Sequence, residues 1–250
     1  MGNFVIGKLM GRCGNQFYQI ATTYAYAKKH ELEFYVSPEA ENSNNSYYFT
    51  GLPTRHIART IYHEPVNENG NAYFHEIPKI ENVYLFGYWQ CFDFFNDYRE
   101  EILNLLNIPY ERKEGYVSIH IRRGDYIGLN KVLPLEYYKN SIEILQAIKK
   151  FKYLIFSDDI EWCKANFNDP KIEFEFSEGK NELEDLSLMS SCEHNICANS
   201  SFSYVASWLN RNENKLVLTP SIENMLDGYN LNIIPDNYIQ VKAKVTAQNL

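Results

Sequence analysis

From residue 116 onward the chain alternates short apolar runs with longer amphipathic ones, and this alternation restricts the fold more than any other feature. The stretch 116–122 reads as a strand, with Val117, Ile119 and Ile121 on one face. Helices are predicted over 135–151, 160–167, 182–191 and 201–210, and strands over 153–156, 172–176, 194–198 and 215–219. Repeated strand–helix units of this length build a parallel sheet covered by helices, and such sheets bind ligands beyond the carboxyl ends of their strands. The amino-terminal part repeats the pattern more sparsely. It has a strand at 4–6, a glycine-punctuated turn at 10–16 and a helix at 17–30 carrying Phe17, Ile20, Ala21, Tyr24 and Ala27 on one face, then a strand at 83–89 and a helix at 92–106. Residues 42–54, rich in Asn, Ser, Gly and Pro, are expected to form an exposed loop. The polar run 109–115 marks a boundary, so the expected organisation is an α/β domain over 1–110, a second over 111–220, and a tail over 221–250 that packs back on the first domain or is partly disordered.

Charge and cysteine usage narrow the function classes. With 24 basic and 32 acidic side chains in 250 residues, the net charge is -8, which argues against a protein that neutralises nucleic-acid phosphates. No apolar run approaches the roughly 18 residues of a membrane span. Neither does a charged segment followed by an apolar one follow Met1, and the expected location is cytoplasmic. The 5 cysteines are odd in number and scattered, which is no disulfide framework. Cys192, His194 and Cys197 are close enough in sequence to suggest zinc, but no second ligand pair completes a tetrahedral set. Buried thiols are the better reading, and no metal site is expected. Aromatic content stands out: 20 Tyr, 15 Phe and 3 Trp supply apolar faces with polar tips, which suit sugar and base stacking as well as core packing.

Three loops at strand ends carry residue types with chemistry to offer. In His120-Ile121-Arg122-Arg123-Gly124-Asp125-Tyr126, a strand ends on two arginines, a glycine turn and an aspartate. A guanidinium is a planar fork of donors that suits phosphate oxygens. Arg122 shares a strand face with His120 while Arg123 points the other way, so one arginine can meet a ligand while the other ion-pairs, with Asp125 as the nearest partner in sequence. Structural salt bridges explain both equally well from spacing alone. In Phe156-Ser157-Asp158-Asp159-Ile160, an acidic or hydroxyl side chain can cap the next helix, or a carboxylate can accept the ring hydrogens of a guanine. Asn199-Ser200-Ser201-Phe202-Ser203 opens a helix directly after a strand, the place where backbone N–H groups bind anions.

Together these residues resemble a family. His120 through Tyr126 is similar to the signature of the α-1,2-fucosyltransferases, glycosyltransferase family 11. Gly11-Arg12-Cys13-Gly14-Asn15-Gln16 resembles that family's glycine–asparagine–glutamine loop. The blocks beginning at Phe156 and Asp185 match two further motifs in the same order. One departure is Ser203-Tyr204-Val205-Ala206, where bacterial members often carry Trp-Trp-Gly. The resemblance implies a GT-B fold of two Rossmann-like domains facing across a cleft. It implies GDP-L-fucose as donor, a galactose-containing acceptor, no metal and no other cofactor, and inversion at the fucose carbon to give an α-1,2 link. It further implies that Arg122 binds the diphosphate, that His120 and Asp158 hold guanosine with Arg123 beside them, that Ser200, Ser201 and Phe202 bracket the β-phosphate, and that Gly14, Asn15 and Gln16 line the acceptor side. Asp125 is the first candidate for the general base. Lactose, a lipid-linked O-antigen unit and a capsule precursor all stay open as acceptors, and a lipid-linked one would bring the protein to a membrane surface as a peripheral partner. The competing expectations are a transferase of another GDP-sugar and a non-catalytic GDP-binding module.

Overall fold

In the computed structural model of the chain, residues 2–38, 47–56, 58, 60–65, 73–221 and 234–243 are described. The chain forms two compact units, one comprising Met1–Ile108 with Asn230–Pro235 and the other Pro109–Tyr229 with Asp236–Leu250.

The first unit is built on a four-stranded sheet ordered β2-β1-β4-β3, all parallel, from β1 (Phe4–Gly7), β2 (Glu33–Val36), β3 (Thr60–His63) and β4 (Val83–Phe86). Strands β2 and β3 were not anticipated. They are four residues long, and all their side chains but Val36 are exposed or half-buried, so their alternation is too weak to read, and only pairing with β1 and β4 makes them strands. Helix α1 (Cys13–His30) begins inside the stretch expected to be a turn. Gly11 at φ +69° makes the turn alone, and a Cβ there would run into Asn15; Arg12 then caps the helix with an extended backbone. Lys28, Lys29 and His30 close the last turn of α1, where positive charge meets the negative end of the helix dipole. The helix expected over 92–106 is broken. Phe92–Phe94 and Asn96–Tyr98 are single 3₁₀ turns, and α2 covers only Arg99–Leu106. Phe92 and Phe95 both turn inward against Tyr18, with ring centroids 5.2 and 5.8 Å away.

The second unit carries a six-stranded parallel sheet ordered β10-β9-β8-β5-β6-β7. Its strands are β5 (Lys113–Ile121), β6 (Lys152–Ser157), β7 (Glu173–Phe176), β8 (Cys192–Ile196), β9 (Val217–Pro220) and β10 (Ile239–Val241). Helices α3 (Gly124–Gly128), α4 (Leu135–Gln146), α5 (Ile160–Asn166), α6 (Glu182–Ser191) and α7 (Ser201–Leu209) connect them. Val117, Ile119 and Ile121 of β5 enter one apolar core with Tyr137, Ile142 and Leu145 of α4 and with Ile196 and Leu218 of β8 and β9. The short α3 was not expected, and α4 ends at Gln146 rather than at 151.

Within the tail, Asn230–Pro235 is grouped with the first unit, while Ile239–Val241 adds a parallel edge strand to the second sheet, pairing Ile239 with Leu218 and Val241 with Pro220. Tyr238 reinforces it through its hydroxyl, 2.9 Å from Ser207 Oγ. Residues 222–233 and 244–250 of the tail, and part of the expected loop at 42–54, lie outside the described residues.

Sheet order locates the ligand end. The chain runs outward from β5 through β6 to β7, then returns to place β8 on the other side of β5 and continues to β9 and β10. The order therefore reverses between β5 and β8, and the crevice at their carboxyl ends is where such sheets receive ligands.

Candidate functional site

At that crevice β5 delivers His120 and Arg122 from one face. The Arg122 guanidinium is held by two carboxylates, with Nη1 2.6 Å from Asp158 Oδ2 and Nη2 2.6 Å from Asp125 Oδ1. Its side chain is 16% exposed and that of Asp125 57%. The charge also lies 5.6 Å from the centre of the Tyr126 ring. Of the two arginines it is Arg122, not Arg123, that pairs with Asp125. Arg123 turns to the opposite face, donates from Nε to Asp159 at 2.9 Å and stacks its guanidinium 3.9 Å from the Trp162 ring centre. Arg123 beside Asp159 holds that carboxyl below its ordinary range.

Asp158 does more than pair with Arg122. Its Oδ1 accepts the backbone N–H groups of Arg123 at 2.9 Å and Gly124 at 3.2 Å, so one carboxylate at the end of β6 pins the loop after β5. Asp159, not Ser157 or Asp158, caps α5 by accepting from Trp162 N at 3.2 Å. The two adjacent acids thus divide the work, one toward the loop and one toward the helix.

His120 is fully enclosed. Burial, and after it the Arg122 charge, pushes its imidazole down to about 4, so at neutral pH it is an uncharged ring with hydrogen-bonding nitrogens. Its Nδ1 is shielded from solvent and lacks a partner. The ring sits 5.4 Å from that of Phe202 in the first turn of α7, which brings the first and third sequence loops together. Ser200 is the N-cap of α7, its backbone extended and its own side chain making no cap hydrogen bond; a helix start is a place where backbone N–H groups can meet an anion.

Further groups at this edge were missed in the sequence. Tyr126 donates its hydroxyl to Asn199 O at 3.1 Å, linking α3 to the loop after β8. Tyr137 donates to Cys197 O at 2.6 Å and also lies 3.1 Å from Leu218 O, tying the ends of β8 and β9. Asn199 Oδ1, Thr219 Oγ1 and Ser221 Oγ are buried with no hydrogen-bond partner. Adjacent strands therefore end in unsatisfied polar atoms beside a cationic fork, the arrangement expected of a site that completes its hydrogen bonds with a polar, anionic, ring-bearing ligand. Only Asn199 lay in a motif that drew attention beforehand. Thr219 and Ser221 had no local signal, because strand order alone places β9 beside β8 in the sheet of β5.

Cys192, His194 and Cys197 do not converge as ligands: His194 Nδ1 accepts from Leu216 N at 3.0 Å, while the Cys192 and Cys197 thiols face the carbonyls of Leu188 and Ser203. All five cysteines are free and buried.

Gly14, Asn15 and Gln16 belong to the first unit and form the first turn of α1. Gly14 and Gln16 are buried; Gln16 Nε2 donates to Gly11 O at 3.3 Å, and its Oε1 accepts from Tyr48 N at 3.3 Å. Asn15 Oδ1 accepts from Gln90 Nε2 at 2.7 Å, so the loop after β4 meets the first turn of α1. Among the described residues no helix is long and apolar enough to cross a membrane.

Two parallel-sheet α/β units with an arginine-bearing switch point describe a GT-B-like protein, and solved structures agree. Fucosyltransferase NodZ from Bradyrhizobium superposes with a TM-score of 0.54 over 90% of this chain and 97% of that one, at 12% identity. The α-1,6-fucosyltransferase NodZ soaked with GDP-fucose gives a TM-score of 0.50 over the same shares, also at 12% identity. Sequence comparison is more specific. The model of glycosyl transferase family 11 matches residues 62–226, and the chain belongs to that family. Relatives include an α-1,2-colitosyltransferase of Escherichia coli, 34% identical over 56% of this chain and 56% of its own length. Another is a galactoside 2-α-L-fucosyltransferase of Bos taurus, 26% identical over 80% of this chain and 62% of its own length. The chain thus spans little more than half the length of the curated relatives it matches.

Proposed function

We propose that the protein transfers L-fucose from GDP-L-fucose to the 2-hydroxyl of a galactoside, with inversion and without a metal ion. The observation that carries this reading is the Arg122 fork, 16% exposed, at the switch point whose next helix, α7, starts at Ser201. Family membership and the names of its relatives support the choice of sugar and linkage.

In the proposed reaction the acceptor oxygen forms a bond to the fucose anomeric carbon as the bond from that carbon to the β-phosphate oxygen breaks. The electron pair leaves with GDP. Negative charge grows on the phosphate while the sugar becomes oxocarbenium-like, and Arg122 with the α7 N–H groups is preorganised for that charge. Asp125 occupies one arm of the fork now. A diphosphate that takes that arm releases the carboxylate, which then accepts the acceptor's hydroxyl proton. Neutral His120, with Phe202 against its ring, offers the guanine a hydrogen-bonding and stacking partner, and Asp158 keeps the loop in register.

A thermal-shift comparison of GDP, UDP, CMP and ADP in EDTA tests the donor assignment. A ligand at a hundred times its Kd contributes about 2.7 kcal/mol. A GDP-selective shift that disappears in Arg122→Ala is the expected outcome; an equal shift with UDP would sink the guanine assignment. The colitosyltransferase relative favours a second reading, the same chemistry with another deoxysugar, and a donor panel separates the two.

A further inference from the structure

The segment after β5 presents aliphatic side chains to solvent at the carboxyl edge of the second sheet. Ile127 in α3 is 56% exposed, and Leu129, which directly follows α3, is 58% exposed. The backbone that carries them is tied down at both ends. At its start Asp158 accepts the N–H groups of Arg123 and Gly124. At its end Lys131 N donates to Tyr126 O at 2.9 Å, and Lys131 O accepts from Asn199 Nδ2 at 2.9 Å. Asn130 turns the chain between Leu129 and Lys131 at φ +53°, the left-handed geometry that Asn tolerates. Ile127 and Leu129 are thereby held outward as a short wedge instead of folding back on the core.

Charge around the wedge is one-sided. No acidic residue occurs between Asp125 and Glu136, and Lys131 is the one charged side chain in residues 126–135. Asp125, the nearest acid before the wedge, is committed to Arg122 at 2.6 Å. Lys131 itself joins no ion pair among the described residues. Apolar side chains next to an uncompensated lysine match the boundary layer of a bilayer. The aliphatic groups enter at the acyl edge, and the lysine lays its apolar stem beside them while its ammonium meets anionic headgroups.

We propose that Ile127, Leu129 and Lys131 dock the carboxyl edge of the second sheet on an anionic phospholipid surface. A protein partner suits the wedge less well, because a stable interface takes about 800 Å² from each side, whereas a bilayer accepts a narrow insertion without a matching surface. Since no helix among the described residues is long and apolar enough to cross a membrane, the contact made by this wedge is peripheral. It sets the crevice between β5 and β8 close to the lipid. The docking does not depend on the transferase reading.

The test is flotation of the full chain with vesicles of phosphatidylcholine alone and of phosphatidylcholine mixed with phosphatidylglycerol, without donor or acceptor. The wild type should float with the mixed vesicles, less so as salt rises. Leu129→Ser and Ile127→Ser should each weaken binding about tenfold, and Lys131→Gln should remove the preference for phosphatidylglycerol. Ile148→Ser is the control, since Ile148 is 57% exposed but lies between α4 and β6, at the opposite edge of the sheet. All three serine variants replace side chains that are more than half exposed and should keep the wild-type Tm. No flotation by the wild type, wild-type binding in Leu129→Ser and Ile127→Ser, or an equal loss in Ile148→Ser overturns the proposal. A dimer seen by light scattering in the wild type and lost in Leu129→Ser would assign the wedge to a second copy of the chain and overturn it as well.

Discussion

A Cβ built at Gly124 would lie 2.7 Å from Asp158 Oδ2, 3.2 Å from its Cγ and 3.9 Å from its Cβ. Gly124 does not have a left-handed backbone, so the obstacle to a side chain there is Asp158 and not φ. In the wild type, Gly124→Ala must push away the carboxylate that binds Arg122 and two backbone N–H groups, at an overpacking cost of about 1–3 kcal/mol. Replacing Asp158 by Ala removes the two close atoms and leaves only the ordinary 3.9 Å contact. In that background Gly124→Ala should be neutral or stabilise by up to about 1 kcal/mol, because it narrows the unfolded ensemble. Asp158→Ala alone forfeits an ion pair whose side chains are 16% and 25% exposed and the acceptor of two N–H groups. Discounted for that exposure, the loss is roughly 3 kcal/mol, or about 6–12 °C in Tm. Thermal unfolding of the wild type, both single variants and the double variant gives a coupling energy, expected at about 1–4 kcal/mol. Effects that add to within about 0.5 kcal/mol would refute the idea that Asp158 is what pins the loop.

Arg122→Ala should lower the transfer rate by about 10²–10³, since it removes the central charge stabilising the leaving phosphate; steady-state kinetics with GDP-L-fucose and a galactoside measures it. His120 should make stability fall with acid. Its folded value of about 4 lies below the unfolded value near 6.5, so the unfolded chain binds the extra proton between them. Its contribution is complete above pH 6.5 and is lost as pH falls toward 4; denaturant titrations at several pH values should show a shallower decline across that window for His120→Asn than for the wild type. Tyr137→Phe should cost about 1–3 kcal/mol by removing the buried hydroxyl between Cys197 O and Leu218 O, visible as a lower urea midpoint at unchanged slope.

Alternation of apolar residues dictated most of the second unit. Val117, Ile119 and Ile121 must share a buried face whichever strands flank them, and the helices that follow carry their own apolar stripes, so a parallel α/β sheet could be derived locally. The arginine, aspartate and serine loops were legible for a similar reason: each is contiguous and sits where a strand gives way to a helix. Strands β2 and β3 escaped notice because they are short and half exposed, and β10 because three residues of a polar tail become a strand only against Leu218 and Pro220.

Pairing choices belonged to the tertiary structure. Nothing in the run of residues 122–125 says that Asp125 answers Arg122 or that Arg123 reaches Asp159, since those pairings depend on how β6 and α5 lie beside β5. Strand order, not strand sequence, puts Thr219 and Ser221 two strands from β5 in the same sheet. Periodicity is a property of neighbours along the chain and survives in the sequence; a site joins residues far apart along it, whose distances are set by packing.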